Sequence, residues 1–402
     1  MEFQTRTQIV DAIYHSNSRS ELRLDPQRVF LNNVRLGNLG VDDVYGLVYN
    51  AVSGVYSLIR NIYLMNNNEQ IDALFEAHHY LGFNTTVTNE NGNNFSLVHH
   101  LNGNNNSYGI GDTHQLGDGI SENKIKVLPA LKGAVTLNGM LNLQRCFPVL
   151  ALLPNGLLDT GIFKNLRVVI EWRPVDEWAS CFQGSSSTNL EDLQIKRPQL
   201  FVDEVLNAPT LPSSCAPIEF LSWELDRAVC PGGTAGDVKQ TKVRLNNFKN
   251  KFVDKLLLIN VKPSDYLSNA DNSVKCDGSL AYKKETIQIV KDGMNLIKFN
   301  GVDSPARKLG LTCDCMGDLC LPFGSHFQDI DNSDNFMTES VERLIGKMSY
   351  LAVWVRDMVT ELDVEHTRTV DANNTVSWFL LVLGQVRKVL TVKDGTFSVR
   401  YL

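Results

Sequence analysis

The chain has 402 residues, of which 43% are hydrophobic and 21% are charged, and its net charge is −7. These proportions are those of an ordinary folded protein and exclude a disordered chain. A chain of this length exceeds the size at which one hydrophobic core usually stops growing, so two domains are expected. The acidic balance argues against binding to phosphate backbones, which requires clustered Lys and Arg, and we expect no direct nucleic-acid partner.

The sequence pattern carries neither a membrane signal nor a targeting signal. The longest apolar stretches, FPVLALL at 147–153 and WFLLVL at 378–383, are far shorter than the ~20 residues of a membrane-spanning helix. Residues 1–24 have neither the apolar region of a secretory signal nor the Arg-rich, acid-poor composition of a transit peptide. We therefore expect no membrane-spanning segment, and we expect the protein to stay in a reducing compartment.

Strand signals dominate the beginning of the chain. The segments QRVFLNNVRLGNLGV (27–41) and GVYSLIRNIYLM (54–65) are rich in Val, Ile, Leu and Tyr and are bounded by Gly and Asn. Such segments are typical of β-strands. The best helical signal is NNEQIDALFEAHHYLG (67–82), where apolar residues recur at helical spacing from Ile71 onward. We predict one or two helical turns there.

A long polar loop follows. Nine asparagines lie between Asn84 and Asn106, interleaved with Gly and Ser. Asn and Gly tolerate positive φ and therefore suit turns better than a core. A loop longer than about 15 residues in a compact protein is usually functional or disordered. We predict an inter-strand loop over 84–122.

The segment IFKNLRVVIEWRP predicts a strand with one face in a core. Apolar and charged side chains alternate along it, and only Val169 breaks the alternation. Pro174, which cannot donate to a ladder, closes it. We interpret 166–172 as the strand that ends the first of two sandwich domains. A further strand could form over 200–205, and Ser and Pro clusters place the linker near 207–216.

Short, evenly spaced strand patterns continue through the second half. They are IEFLSWELDRAV (218–229), QTKVRLNNF (240–248), VDKLLLINVKP (253–263), ETIQIV (285–290) and GMNLIKFNG (293–301). The chain ends in an apparent meander of YLAVWVRDMV, TVSWFLLVLGQVRKVLTV and TFSVRYL, with Asp394-Gly395 as a hairpin signal before the last strand. The residues thus predict an all-β protein built from two consecutive β-sandwiches.

Several of these segments together resemble one family. They are LDPQRVFLNNVRLGNLGV followed by YNAVSGVYSLIRNIYLMNN, LNLQRCFPVLALLPNG followed by FKNLRVVIEW, and the C-terminal LAVWVRD and VSWFLLVLGQVRKVLTV. This order of strands, gaps and apolar positions is similar to that of the double jelly-roll major capsid proteins of tailless icosahedral double-stranded DNA viruses, including polinton-like, adintovirus-like and virophage-like elements. The likeness spans most of the chain and rests on patterns rather than on an invariant motif.

The resemblance implies a fold and a division of the chain. The fold is all-β, with two consecutive eight-stranded jelly-roll β-sandwiches, long inter-strand loops and few short helices. The division is an N-terminal arm over 1–25, a first jelly roll over 26–206 with the Asn-rich loop 84–122, a linker over 207–216 and a second jelly roll over 217–402. The resemblance implies that the loop 84–122 projects outward from the first roll. It implies the same for loops in 264–282 or 303–345 of the second roll.

The resemblance also implies a function. Such a protein is a structural major capsid protein, whose homotrimers form pseudo-hexagonal capsomers that tile an icosahedral shell in the virion after assembly inside the host cell. Its expected partners are itself, neighbouring capsomers, and penton and minor capsid proteins. From the residues alone, the alternative is a glycan- or receptor-binding β-sandwich, that is, an adhesin, a lectin or a minor or vertex capsid protein, that uses the Asn-rich loop.

A capsid tile buries the seams between its protomers, so some apolar residues should lie outside the core of each sandwich. Val169 and the strongly apolar WFLLVLG at 378–384 are candidates for such seams. Cover by a second sheet or helix within one protomer explains them equally well. Both interpretations stay open at the level of sequence.

The sharpest cluster of possible metal ligands is TCDCMGDLC with the histidine that follows it. It gives Cys313, Cys315, Cys320 and His326, and three thiolates with one imidazole could satisfy tetrahedral zinc. The spacing departs from the usual C-x2-C knuckle, so a disulfide and reduced thiols remain as alternatives. We expect no resident cofactor.

An enzyme would need a nucleophile, a base or a metal, and the sequence has no P-loop, GxSxG, HExxH or Rossmann glycine pattern. The segment EWRPVDEW offers Glu171, Asp176 and Glu177 as a carboxylate pair of the kind that glycosidases use. Carboxylates at a strand end are more often solvated. We therefore expect no catalytic residues and no enzyme activity.

Two pairs of adjacent histidines could suggest a further metal site. They are His78 with His79 and His99 with His100. Adjacent residues on a strand point to opposite faces, so we interpret both pairs as loop or surface histidines rather than as ligands.

Overall fold

The computed structural model describes residues 3–42, 48–49, 54–81, 139–183, 190–208, 215–261, 285–300, 315, 350–370, 377–393 and 396–402. Within these ranges the chain forms antiparallel β-ladders with short helical segments between them. The all-β class predicted from the sequence is confirmed. The loop expected over 84–122 lies outside the described residues, as do those over 264–282 and, except for Cys315, 303–345.

The first half of the chain contributes strands β1 to β13. Their bounds are β1 Thr5–Asp11, β2 Tyr14–His15, β3 Arg19–Arg23, β4 Val29–Leu31, β5 Arg35–Leu39, β6 Val48–Tyr49, β7 Ile59–Asn66, β8 Glu69–Leu74, β9 Gly139–Asn142, β10 Leu157–Asp159, β11 Leu166–Trp172, β12 Phe182–Gln183 and β13 Gln199–Val205. The second half contributes β14 Cys215–Cys230, β15 Val238–Arg244, β16 Lys251–Val261, β17 Glu285–Lys291, β18 Met294–Asn300, β19 Tyr350–Val359, β20 Leu362–Thr369, β21 Trp378–Lys393 and β22 Thr396–Tyr401.

Two sheets form the first sandwich. Sheet 1 has the order β10-β4-β13-β5-β9, with β1 paired to β13, and sheet 2 has the order β2-β3-β11-β7-β8. Strands β6 and β12 form a separate two-stranded ladder. The large side chains Phe30, Tyr56, Phe147 and Trp178 are fully buried in this half. A short α-helix at Pro148–Ala151 begins with its proline at the first turn, where no backbone donor is needed.

Two more sheets form the second sandwich. Sheet 3 has the order β14-β21-β16-β19, with β22 paired to β21, and sheet 4 has the order β15-β20-β17-β18. Among the described residues the first sandwich has eleven strands in sheets 1 and 2, and the second has nine in sheets 3 and 4. The resemblance implies eight per sandwich, and the additional strands of the first sandwich include β1 and the short β2 and β10. Sheets 3 and 4 enclose a core that includes Phe248, Ile287 and Ile289.

Sheet 3 is the structural link between the two halves. Leu381 and Leu383 of β21 belong to a buried apolar cluster that is continuous with the first sandwich. Leu380 and Val382, which point the other way, belong to the separate cluster between sheets 3 and 4. Residues 380–384 of the segment WFLLVLG are therefore covered within a single chain and do not form a seam between protomers.

Val169 is also covered within the chain. It lies on β11, is 3% exposed and pairs with Glu21 of β3 and Tyr63 of β7. Of the two interpretations that the sequence left open for Val169, the structure supports cover within one protomer.

The segment 1–25, expected to be an N-terminal arm, contributes strands to both sheets of the first sandwich. The residues of 1–25 that the structure describes supply β1, β2 and β3, and β1 pairs with β13 along its whole length from Thr5–Val205 to Asp11–Gln199. The strand 166–172 does not end the first half, because β13 follows it and lies in the middle of sheet 1. A pattern of alternation shows that a strand exists but does not show its place in a sheet. The boundaries at 26–206, 207–216 and 217–402 stay predictions.

The helix predicted over 67–82 is wrong in its first half. Glu69–Leu74 is strand β8, which forms a hairpin with β7, and only residues 77–81 are helical among those described. Asn67 in the turn has φ 52°, a conformation that Asn tolerates. Residues 71–74 are all buried, so the apolar pattern could not distinguish a two-sided strand from a helix.

The C-terminal meander is correct only in its last hairpin. Strand β22 pairs with β21, from Lys393–Thr396 to Lys388–Tyr401. Strand β19, however, is separated from β21 by β16, and β20, which the sequence analysis missed, lies in sheet 4. The alternation of β20 is carried by charged and polar residues, so its pattern lacks the apolar signature of a strand.

One glycine allows the close packing of sheet 3. A Cβ atom at Gly384 of β21 would overlap the ring of Phe248, which is fully buried. We expect Gly384→Ala to lower the free energy of unfolding by about 1–3 kcal/mol, the usual cost of overpacking a rigid core. Chemical denaturation of the purified protein measures this change. Gly161→Ala, where the added atom meets only the flexible side chain of Asp159, is the matched control and should change stability much less.

Candidate functional site at the junction of the two halves

The two halves meet along β14, the edge strand of sheet 3, which contacts β8 and the helix at Pro148–Ala151. Aromatic side chains pack across this junction. The ring of Tyr80 lies 5.0 Å from that of Trp223, and the ring of Phe163 lies 5.9 Å from that of Phe397. The junction is thus an apolar contact, and the polar groups within it must find partners there.

A chain of three buried polar side chains crosses the junction. The hydroxyl of Ser222 on β14 donates to Asp72 Oδ1 on β8 at 2.6 Å, and the backbone N–H of Ala73 donates to the same oxygen at 2.9 Å. The ammonium of Lys388 on β21 donates to Ser222 Oγ at 3.1 Å. Asp72, Ser222 and Lys388 are all buried.

The charge of Lys388 is balanced by Glu224 rather than by Asp72. Lys388 Nζ lies 2.8 Å from Glu224 Oε1, and the hydroxyl of Tyr401 donates to the same oxygen at 2.8 Å. Burial raises the pKa of Asp72 to about 7, although the hydrogen bond from Ser222 and the charge of Lys388 partly oppose this rise. Asp72 therefore changes its charge near neutral pH, inside the junction.

A second polar contact joins the halves at Glu76. Arg227 of β14 donates to Glu76 Oε1 at 2.5 Å, and Arg60 of β7 lies 3.9 Å from the same oxygen. The backbone N–H of Glu76 donates to Asn61 Oδ1 at 3.0 Å. Burial raises the pKa of Glu76, and the charges of Arg227 and Arg60 oppose that rise. Glu76 is in the left-handed backbone region, with φ 47°, which is unusual for a residue with a side chain.

The histidine pair that follows Glu76 is buried, so the expectation that it lies in a loop or at the surface is wrong. Residues 77–81 form a helical turn rather than a strand, and the rings of His78 and His79 lie with centroids 4.1 Å apart and planes tilted by 37°. Burial lowers the pKa of His79 to about 3, with Arg173 and Arg227 adding to the effect. Burial also lowers the pKa of His78. Both rings are neutral at physiological pH.

Glu76 and the two histidines that follow it could also act as metal ligands. Glu76, His78 and His79 each offer a ligand atom, and these atoms lie within 4.8 Å of one another. Among the residues that the structure describes, they form the one group of this kind. The sequence analysis considered the histidines but set them aside, and it did not consider Glu76.

The cysteine cluster predicted as a zinc candidate falls mostly outside the structure. Cys313, Cys320 and His326 lie outside the described residues. Cys315 is buried, its backbone carbonyl accepts a hydrogen bond from Lys255 Nζ at 3.3 Å, and its thiol is in no disulfide with another described cysteine. The zinc, disulfide and thiol interpretations stay predictions. The second histidine pair, at 99–100, also lies outside the described residues.

Two of the three carboxylates considered for catalysis bind different partners within the protein. Glu171 Oε2 accepts hydrogen bonds from Asn61 Nδ2 at 2.7 Å and from the hydroxyl of Tyr63 at 2.8 Å. Glu177 forms an ion pair with the buried Arg173 at 3.1 Å, and Asp176 is exposed. Glu171 and Glu177 are thus half-buried structural acceptors rather than solvated side chains.

The sequence contained a signal for the junction that its analysis did not use. Asp72 and Glu76 interrupt the otherwise apolar run from Ile71 to Ala77, and a charged residue inside such a run predicts a buried partner. Those partners, Ser222 and Arg227, lie 150 and 151 residues away. No local pattern identifies them.

Comparison with known proteins adds a fold-level assignment. No protein-family model matches the sequence. The sequence also has no match among curated proteins. Solved structures do match. The fold is similar to that of a chain in the cryo-EM structure of the Sputnik virophage, with a TM-score of 0.56, 10% identity and coverage of 100% of this chain and 89% of that chain.

Two further matches have the same character. The mavirus major capsid protein aligns with a TM-score of 0.51 and 11% identity, over 100% of this chain and 92% of its own. The Faustovirus major capsid protein aligns with a TM-score of 0.51 and 8% identity, over 98% of this chain and 91% of its own. Together with the two sandwiches in series, these alignments show that the chain has the double jelly-roll fold of viral major capsid proteins.

The buried carboxyl of Asp72 predicts an unusual dependence of stability on pH. An unfolded Asp has a pKa of about 3.9, whereas the folded value is about 7. Between these values the folded protein holds a proton that the unfolded chain has lost. The free energy of unfolding should therefore fall as the pH rises from about 4 to about 7, with a contribution of up to about 1.4 kcal/mol per pH unit, and should level off above pH 7.

The measurement is the free energy of unfolding of the wild type minus that of Asp72→Asn, obtained from denaturation curves at several pH values across this range. Asn keeps an oxygen that can accept from Ser222 but does not titrate. The difference should slope downward between pH 4 and 7. Parallel pH profiles for the two proteins would contradict the assignment.

Proposed function

We propose that this protein is a structural major capsid protein. The observation that carries the proposal is the double sandwich itself. Two β-sandwiches in series occupy the described parts of the chain, and the whole fold aligns with capsid proteins over at least 89% of their length. A fold alone does not establish a function, so the junction and the surface must also suit the role.

The junction suits a tile whose two halves must keep one fixed arrangement. One apolar cluster runs from the first sandwich into sheet 3, and the buried contacts of Asp72 with Ser222 and of Glu76 with Arg227 fix the two halves in one arrangement. A catalytic protein would instead place its polar groups where a substrate can reach them. We propose that the protein acts by assembly and without catalysis.

We further propose that the assembling unit is a homotrimer. Strand β1 is an edge strand in sheet 1, and edge strands with exposed apolar side chains are favoured sites for contact with another chain. Ile9 of β1 is 58% exposed, Ile13 is 59% exposed and Tyr14 is 52% exposed. We define these three residues as the candidate seam.

The remaining aspects of the role follow from the same proposal. The protein would lie in the shell of a virion and contact neighbouring capsomers, penton proteins and minor capsid proteins. The net charge of the chain is −7, and this acidic balance suits contacts with protein better than contacts with nucleic acid. No helix in the described ranges is long and apolar enough to cross a membrane.

The solution mass of the purified chain tests the trimer. Light scattering should give a mass near three times the 45.0 kDa of the chain, and this mass should persist on dilution. Replacing Ile9 and Ile13 together by Glu should convert the trimer to a monomer, because a buried unpaired carboxylate costs several kcal/mol at each seam.

The matched control is the pair Met294→Glu and Leu296→Glu. These residues are also exposed, at 67% and 39%, but they lie on β18, the edge of sheet 4. Their replacement should leave the mass unchanged. A wild-type monomer at micromolar concentration would contradict the trimer and favour the glycan- or receptor-binding alternative. A trimer that only the β18 variant dissociates would refute the candidate seam.

A further inference from the structure

The turn after β8 places three potential metal ligands side by side. Glu76, His78 and His79 lie within four residues of chain, and their ligand atoms are within 4.8 Å of one another. The backbone N–H of His79 donates to the carbonyl of Glu76 at 3.0 Å, which closes the turn. Glu76 has a left-handed φ of 47°, and residues held in such conformations cluster at functional sites.

Hydrogen bonding fixes the orientation of the first imidazole. His78 Nδ1 lies 3.2 Å from the carbonyl oxygen of Ile59. A carbonyl only accepts, so Nδ1 carries the proton of the neutral ring and Nε2 carries the lone pair. Nε2 faces Glu76 Oε2 at 3.8 Å. Metal-binding histidines characteristically donate their other ring N–H to a carbonyl or a carboxylate in this way.

The distances suit an ion of the size of Zn²⁺. Zinc bonds to histidine nitrogen and carboxylate oxygen are about 2.0–2.2 Å long, which separates the ligand atoms of a tetrahedral site by roughly 3.3–3.6 Å. The 3.8 Å between His78 Nε2 and Glu76 Oε2 is close to that separation. The ligand atom of His79 lies within 4.8 Å of the other two, so the cluster must contract to close around one ion.

The surrounding charges decide which ions can bind. Arg227 and Arg60 both contact Glu76 Oε1, which leaves Oε2 for an ion. Their positive charge opposes any cation and disfavours Mg²⁺ and Ca²⁺, which bind through charged oxygens. Borderline ions that form strong bonds to imidazole nitrogen are affected less. The side chains of Arg227 and Arg60 are 42% and 36% exposed, so the cluster lies one side chain below the surface.

We propose that Glu76, His78 and His79 form a binding site for a divalent transition-metal ion of the Zn²⁺ class at the junction of the two halves. The ion would be held by two imidazole nitrogens and one carboxylate oxygen, with water completing the tetrahedron. Arg227, from the second half of the chain, would pair with the other oxygen of the Glu76 carboxylate, and its charge would lower the affinity of the site for a cation. The site is independent of the proposed capsid role, since it is complete within one chain.

The test is a metal titration of the full purified chain after dialysis against a chelator. Co²⁺ replaces Zn²⁺ in such sites and reports ligation through its visible absorption. We expect one Co²⁺ per chain, displaced by Zn²⁺, and an increase in the melting temperature with Zn²⁺ but not with Mg²⁺. Glu76→Gln, and His78→Gln combined with His79→Gln, should weaken binding at least about tenfold.

Two further variants serve as controls. One distinguishes metal ligation from an effect on folding, and the other tests whether different histidines bind the metal. Arg227→Gln removes a positive charge beside the carboxylate and should tighten Zn²⁺ binding, a gain that a poorly folded variant could not produce. His99→Gln combined with His100→Gln removes the other adjacent pair in the sequence and should leave binding unchanged. The proposal is overturned if the wild type binds no Zn²⁺, if the ligand variants bind it as well as the wild type does, or if the 99–100 variant abolishes binding.

Discussion

Sheet 3 must be covered on both faces, and the rest of the structure depends on this constraint. Successive side chains of a strand point to opposite faces, so the uninterrupted apolar run of β21 exposes hydrophobic surface on both sides unless two layers cover it. Leu380 and Val382 find cover from sheet 4, whereas Leu381 and Leu383 belong to the cluster that continues into the first sandwich. Each fully buried side chain of this kind contributes roughly 1.5–3 kcal/mol. The two halves are therefore parts of one packed unit.

Apolar contact does not by itself set the orientation of two sandwiches, because the hydrophobic effect has no direction. The buried polar contacts of the junction supply that direction. Asp72 bonds to Ser222, and Glu76 bonds to Arg227, only when β8 and β14 are in one relative position. Buried polar groups cost desolvation energy, and any other arrangement would leave these groups without partners. The same polar turn brings Glu76, His78 and His79 together, so the feature that orients the halves also creates the candidate metal site.

The resemblance to capsid proteins and the structural alignments agree although the aligned identities are only 8–11%. A sandwich requires apolar residues at alternate positions, turns at suitable intervals and a few close contacts such as that of Gly384 with Phe248. Many residues satisfy these requirements, so the order of strands and gaps persists when individual residues change. A functional site depends on particular side chains at particular positions, and the pattern of strands and gaps does not specify them. The sequence therefore predicted the fold far better than the candidate sites.

The sequence by itself determined the all-β class, the presence of most strands and the hairpin that ends the chain, because alternation and turn residues act between neighbours along the chain. Only the tertiary structure decided that β13 lies inside sheet 1, that Glu69–Leu74 is a strand, and that His78 and His79 are buried. Each of these outcomes depends on partners that are remote in sequence. Asp72 and Ser222 are 150 residues apart, and β1 pairs with β13 across nearly 200 residues. Burial and pairing at such separations are set by the folded core, which a local pattern does not contain.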